Sequence, residues 1–408
     1  MFWRRLRPGG GRRGSSCTPF AHPRPAVVKT PAYTPKMSTS PRLLFVVSAL
    51  VLGGAGFAAA ATREPPPADT VTLQAEGVAD WLKAGAPTGK FSTGSELFDA
   101  EWHFGTWQMA GLGLAQHAAT HPDARTLDLG RMDLCIERLF STEARAFDKT
   151  SWGVDPLDAL DDPRGHMAWL GYTNLVLSAR RALDPQGPWA QENDALSAAL
   201  TRRFEAELAP ETYPGERYPV DMAAGAASLM LRARTLGQPP PTVLTAWTSA
   251  LCSRWLVDGV LVQSVARDGS AADKPRGSGS FLAAWFLSWG DPALGAELYR
   301  GASARLFTTL GPMGAMREYA PGVDGGGDID SGPIVAGMGV SATGFAIGAA
   351  LASGDEATAA SLTATATFVG RPVDNDGARH WATGAALGGA PLADAILFAM
   401  MATPDRSR

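Results

Sequence analysis

From Val71 onward apolar residues recur at three- and four-residue intervals in VTLQAEGVADWLK, LDLGRMDLCIERLF, WAQENDALSAALTRRFEAEL and PALGAELYRGASARLF. That spacing gathers them on one stripe of a helix and leaves the charged residues on the other side. A second set of segments has almost no polar face: HFGTWQMAGLGLAQHAA, GHMAWLGYTNLVLSA, DMAAGAASLML, SGSFLAAWFLSW, GPIVAGMGVSATGFAIGAALA and WATGAALGGAPLADAILFAMMA. A helix apolar all round has to be covered all round. The two sets alternate, and the buried helices are expected to begin near Glu101, Gly165, Tyr218, Gly277, Ser331 and Trp381, 50 to 65 residues apart. Six buried helices among about six amphipathic ones predict an all-α domain over 71–402, with 403–408 as a tail. Strand patterns are scarce, and LVDGVLVQSVA, ending at Ala266, is the main hairpin candidate.

Inner helices wrapped by outer ones resemble the (α/α)6 toroid of six-hairpin glycosidase-like enzymes and, as a second choice, linalool dehydratase/isomerase-like toroids. The resemblance is one of layout. It implies a substrate pocket at one end of the inner ring and carries no catalytic residue across. Cysteine chemistry of the second kind is not expected, because Cys135 and Cys252 fall in presumed outer helices, where both are expected as buried thiols.

The 408 residues, 45% apolar and 19% charged, can bury a large core. Their formal charge of −4 is unevenly spread: nine of the 36 basic residues and no acid precede residue 62, leaving 27 against 40 acids beyond it, a net −13. A domain that acidic is no nucleic-acid partner. Residues 37–61 combine Arg42, an apolar run from Leu43 and a small-residue stretch at Ala58–Ala61, the outline of a secretory signal. An exported protein is therefore expected, with residues 43–61 as a membrane anchor if uncleaved. Residues 1–36 read as a basic extension or a misassigned start ahead of Met37, and 62–70 as a proline-rich linker. The twenty uncharged residues from Pro333 to Ala352 raise a membrane alternative, against which their glycines and alanines argue for a buried helix.

Chemistry concentrates where the inner helices begin, in FDAEWHFGTW, DDPRGHMAW, YPGERYPVD, KPRGSGS, DGGGDIDSGP and DGARHW. Parallel inner helices bring these loops to one face under a shared positive field from the helix N-termini. Hydrolysis of a glycoside needs two carboxyl groups in different protonation states. Glu101, among aromatics, is the candidate acid; Asp328 or Asp330, at an expected helix start opened by Ser331 and Pro333, is the candidate base. Trp102, Trp107, Trp381 and Tyr172 offer faces for sugar rings; Arg164, Arg217 and Arg276 offer anion sites, with His103, Asp221 and His380 nearby. His166 and Tyr218 suit a lyase or isomerase that moves a proton instead. A non-catalytic glycan-binding protein on the same scaffold is the third reading. No cofactor or metal is expected: GMGVSATG is not a dinucleotide fingerprint, His117 and His121 lack a third ligand, and DIDSG has Gly339 where a calcium loop needs its twelfth-position acid.

Overall fold

In the computed structural model, residues 68–87, 91–329, 331–386 and 388–407 are described. The expectations for residues 1–61 fall outside them, as does Asp330. Helix α1 (Ala68–Lys83) begins within the expected linker; α2 (Glu96–Thr120), α3 (Arg125–Leu139), the short α4 (Ala146–Trp152), α5 (Met167–Leu183), α6 (Ala190–Ala206) and α7 (Pro219–Thr235) follow. Helix α8 (Val243–Ala250) runs into a π-helical turn (Leu251–Trp255) and the hairpin β1 (Leu256–Val257) with β2 (Val260–Leu261), where a strand pair was expected. Next come α9 (Gly277–Gly290), α10 (Pro292–Leu306), β3 (Phe307–Leu310), β4 (Met313–Met316), β5 (Ile334–Val335), β6 (Met338–Gly339), α11 (Val340–Ala352) and α12 (Glu356–Gly370). The chain closes with β7 (Pro372–Asn375), β8 (Ala378–Trp381), the short α13 (Ala382–Ala386) and α14 (Ala390–Met401).

The buried set forms a closed ring: α2 packs on α5, α5 on α7, α7 on α9, α9 on α11, α11 on α14, and α14 back on α2. Outside it lie α1, α3, α6, α8, α10 and α12, so the fold is a mainly all-α toroid of alternating inner and outer helices. Between their first and last turns the inner helices carry almost no charge, because both flanks meet other helices and the back meets the outer layer. Their small residues let the backbones come close: a Cβ at Gly113 of α2 would meet Phe398 of α14, and one at Gly348 of α11 would meet both Met400 and Trp285.

These contacts also fix direction. Gly105 and Gly113 of α2 face Leu392 and Phe398 of α14 in the same order, and Gly111 faces Val176 of α5. Gly171 of α5 lies against Asp221 and Gly225 of α7; one turn on, Asn174 donates to Ser228 of α7 at 2.8 Å. Gly277, which opens α9, abuts Ala342 near the start of α11, and the late Gly290 abuts Ala227 of α7. The inner helices therefore run parallel, with their N-termini on one face.

Several starts differ from expectation. Ser331 and Pro333 do not begin a helix. They lead into β5 and β6, whose two-residue turn, Ala336 (φ 51°) and Gly337 (φ 83°), has the left-handed geometry that suits a hairpin, and α11 starts only at Val340. Asp328 thus stands in a loop ahead of a hairpin and not at a helix N-terminus. Glu101 lies in the second turn of α2, and Trp381 ends β8 ahead of α14. The uncharged run from Pro333 becomes a hairpin plus a 13-residue helix. Among the described residues no helix is long and apolar enough to cross a membrane. Cys135 is a buried free thiol whose pKa burial pushes up, and Cys252 is half-buried.

Candidate active site at the N-terminal face of the inner ring

Three sectors of this face hold the candidate residues, and they differ in what their side chains are free to do.

The first lies where α2, α5 and α7 begin. Asp221, in the first turn of α7, is 7% exposed. Tyr172 of α5 donates its hydroxyl to Asp221 at 2.5 Å, and Thr212 donates from the loop before α7. Burial drives the Asp221 pKa up to about 6, and the two hydrogen bonds offset only part of that rise. The next residue in the loop, Tyr213, donates to Glu101 at 2.6 Å, so two consecutive residues hold two carboxyl groups. Phe104 and Phe147, centroids 4.9 Å apart, link the pairs, with Phe104 6.3 Å from the Tyr172 ring and Phe147 6.5 Å from the Tyr213 ring.

The same sector holds His166. Its Nδ1 meets Asp148 of α4 at 2.5 Å, and Trp152 lies over the imidazole at 4.8 Å. Asp148 is fully buried, which raises its pKa despite the imidazole, and one of its oxygens has no partner among the described residues. His166 has φ 61°, a left-handed conformation that costs a non-glycine residue about 1 kcal/mol or more and is found where a side chain is held for a purpose. Trp152 donates to the Thr212 carbonyl at 3.3 Å, tying the histidine pair to the Asp221 loop.

In the second sector Arg276 is shared between Glu318, 2.9 Å from its Nε, and Asp328, 2.5 Å from Nη1. Ser278 adds a hydrogen bond to Glu318, whose side chain is 0% exposed. Burial by itself would pull Arg276 down, but Asp328 and Glu318 hold it above the ordinary arginine range; burial works against Asp328 too, and Arg276 and Ser331 hold it below the usual carboxylate range. Asp328 is thus committed as a counter-ion.

The third sector is a pocket of about 250 Å³ at the seam of α1 and α14, bordered by Trp81, Val373, His380, Trp381, Ala385 and Asp394. Buried Asp394 accepts from Trp81 (2.7 Å), His380 (2.8 Å) and the Trp381 amide (2.9 Å), and its hydrogen bond raises the His380 pKa.

Glu101, His166 and Asp221 are therefore each tied, directly or through Trp152, to the Thr212–Tyr213 segment, and Tyr218 of the same loop donates its hydroxyl to exposed Glu216. Trp102 is half-exposed at the mouth, edge-on to Phe91. Others serve the wall: Trp107 is 0% exposed and donates to the buried His103, which also meets the Ala86 carbonyl at 2.8 Å and whose pKa burial lowers. Arg217 is buried against Glu207, Glu211 and the Ala209 carbonyl; Arg164 points outward to Asp162. His117, which donates to buried Asp128 at 2.7 Å, stacks on His121 at the far end of α2. Reading the sequence missed Asp148, Trp152 and Thr212. Tyr213 was in view inside YPGERYPVD, an aromatic at a loop apex beside Pro214 and Gly215, while Asp148 has no local signal. No family model matches the chain, and no curated protein matches it.

Proposed function

We propose that this face is the active site of an enzyme that hydrolyses a glycosidic bond, with Asp221 as the general acid and Glu101 as the general base. The observation that carries the reading is a carboxyl group held near pKa 6 and a second carboxyl, bonded to the consecutive loop residues Thr212 and Tyr213. A fraction of Asp221 is protonated at neutral pH, as a donor to a leaving oxygen must be. As the bond from the anomeric carbon to that oxygen breaks, Asp221 gives its proton to the departing alcohol. Glu101 takes a proton from the water whose oxygen forms the new bond to carbon. Half-exposed Trp102 supplies a face on which a sugar ring can stack. The pair differs from the one expected from sequence because Asp328 is neutralised by Arg276.

Asp221→Asn and Glu101→Gln should each lower kcat/KM on a panel of glycosides by at least about 100-fold. A general acid of pKa near 6 works only when protonated, so wild-type kcat/KM should fall above pH 6. Turnover unchanged in Asp221→Asn would sink the assignment.

The bonded His166 and Asp148 favour a second reading, proton abstraction by the imidazole leading to elimination. A product with a new double bond, absorbing near the ultraviolet edge, would select it; a saturated reducing sugar would reject it.

A further inference from the structure

The pocket where α1 and α14 meet the β7–β8 hairpin contains neither Asp221 nor Glu101, and its chemistry differs from theirs. Its volume of about 250 Å³ exceeds the ~150 Å³ that suffices for one benzene ring and falls short of a drug-sized site. Half-buried Trp81 of α1 and Trp381 of β8 make the aromatic part of the wall, and Val373, Ala382, Ala385 and Ala390 the aliphatic part. Val373, Ala382 and Ala385 are exposed, so a ligand can enter from solvent.

Polar chemistry on this wall comes down to one accessible atom. Both oxygens of Asp394 are taken: Oδ2 accepts from Trp81 Nε1 at 2.7 Å and His380 Nδ1 at 2.8 Å, and Oδ1 accepts from the Trp381 amide at 2.9 Å. Asp394 therefore orients the imidazole through Nδ1 and leaves Nε2 to face outward. That nitrogen stands 3.7 Å from Asp80, beyond hydrogen-bond distance, on a side chain 32% exposed. The hydrogen bond to Asp394 raises the His380 pKa, so Nε2 keeps its proton to higher pH than a free imidazole does. The buried Trp381 Nε1 also has no partner among the described residues. One accessible donor serves the several hydroxyls of a sugar badly and suits a single acceptor on an apolar body.

Charges around the pocket cancel. Asp80 is paired with Lys83 at 3.3 Å, Asp374 with Arg379 at 2.5 Å and Asp394 with protonated His380, while Arg371 before the hairpin and Asp376 at its turn offset each other. An ionised ligand of either sign gains nothing from this field.

We propose that this pocket binds an uncharged molecule of one aromatic ring bearing one hydrogen-bond-accepting oxygen, with the ring against Trp81 and the oxygen accepting from His380 Nε2. The proposal does not depend on the acid and base roles of Asp221 and Glu101.

The test titrates the full chain calorimetrically with acetophenone, ethylbenzene, benzoate and benzylammonium, which share a ring and differ in one group. Near pH 6 acetophenone should bind with a Kd below about 1 mM, at least about tenfold tighter than the other three. Its affinity should fall at least about fivefold between about pH 6 and pH 9, as Nε2 loses its proton in front of Asp394 from α14 and Asp80 from α1, while ethylbenzene binds equally at both. His380→Leu should bring acetophenone down to the ethylbenzene level. Ala385→Trp, at an exposed position, should fill the pocket and abolish binding; if His380→Leu does not fold, this variant and the pH series decide. Acetophenone that fails to bind at about 10 mM, or that still binds Ala385→Trp, overturns the site. Ethylbenzene binding as tightly as acetophenone, or benzoate or benzylammonium binding more tightly, overturns the ligand class.

Discussion

At pH 7 the Asp221 carboxyl is mostly ionised in a place where burial favours the neutral form, and the fold bears the cost. Its folded pKa of about 6 lies above the ordinary 3.8. Between those values the folded chain holds a proton that the unfolded chain has shed, so stability falls as pH rises through that window. The shift corresponds to roughly 3 kcal/mol above pH 6. Asparagine can still accept from Tyr172 and can donate to Thr212, without the charge. Asp221→Asn should therefore gain about 1–3 kcal/mol at pH 8 and almost nothing at pH 4, read from urea unfolding at both values. Equal effects at the two pH values would show that the carboxyl is not destabilised by burial. Here the sequence was informative in part: YPGERYPVD and the aromatics around Glu101 marked the segments that hold Asp221 and Glu101. The carboxyl that burial raises is Asp221, where the sequence had offered Glu101 as the acid, because burial depends on α5 and α7 closing over it from 49 residues apart.

Among the elements, the glycine-rich loop and its arginine show what composition can and cannot tell. DGGGDIDSGP looks like a catalytic loop because it is flexible and acidic, and its Asp328 is instead a clamp on Arg276 at the entry of α9. Glu318, with no exposed side-chain surface, depends on the same guanidinium, and its second oxygen has no partner among the described residues. Removing the arginine leaves that carboxylate buried and uncompensated. Arg276→Met should cost about 3–5 kcal/mol in denaturant unfolding, and adding Glu318→Gln should restore more than half of it. A single-mutant loss below about 1 kcal/mol would mean that Glu318 finds other compensation. The hairpins β5–β6 and β7–β8 explain why two helix starts were misplaced. The segment entering β5–β6 contains proline, small residues and no charge, which fit a helix N-terminus locally, and in both cases only pairing across the turn distinguishes hairpin from helix.

Across the whole molecule, six parallel inner helices sum their dipoles, positive at the N-terminal face and negative at the other. The charges follow that field. Glu101, Asp221, Glu318 and Asp394 gather at the first, and Arg180, Arg181, Arg232 and Arg234 sit in the last turns of α5 and α7. Arg406 closes the second end. It is fully buried, bonded to Ser288 of α9 (2.8 Å) and Gln116 of α2 (2.6 Å), and lies 4.0 Å over Trp289; burial and nearby Arg234 lower its pKa to about 9. Arg406→Ala should lower stability by about 2–4 kcal/mol, since it unties α2 from α9 and leaves polar groups unpaired, and thermal unfolding checks it. A midpoint within 1 °C of wild type would show that the ring closes without this plug.

The sequence by itself determined the helical class and the alternation of buried and amphipathic helices. Those features are local: a segment with no polar face cannot be stable unless covered, wherever it lies in the chain. Tertiary structure alone decided which charged groups remain available, because neutralising a charge takes a partner from another element. Arg217 and Arg276 looked like ligands and are internal counter-ions, Asp328 looked like a base and is a clamp, and Asp221 became the perturbed acid through burial, which outweighs the hydrogen bond from a tyrosine on the adjacent inner helix.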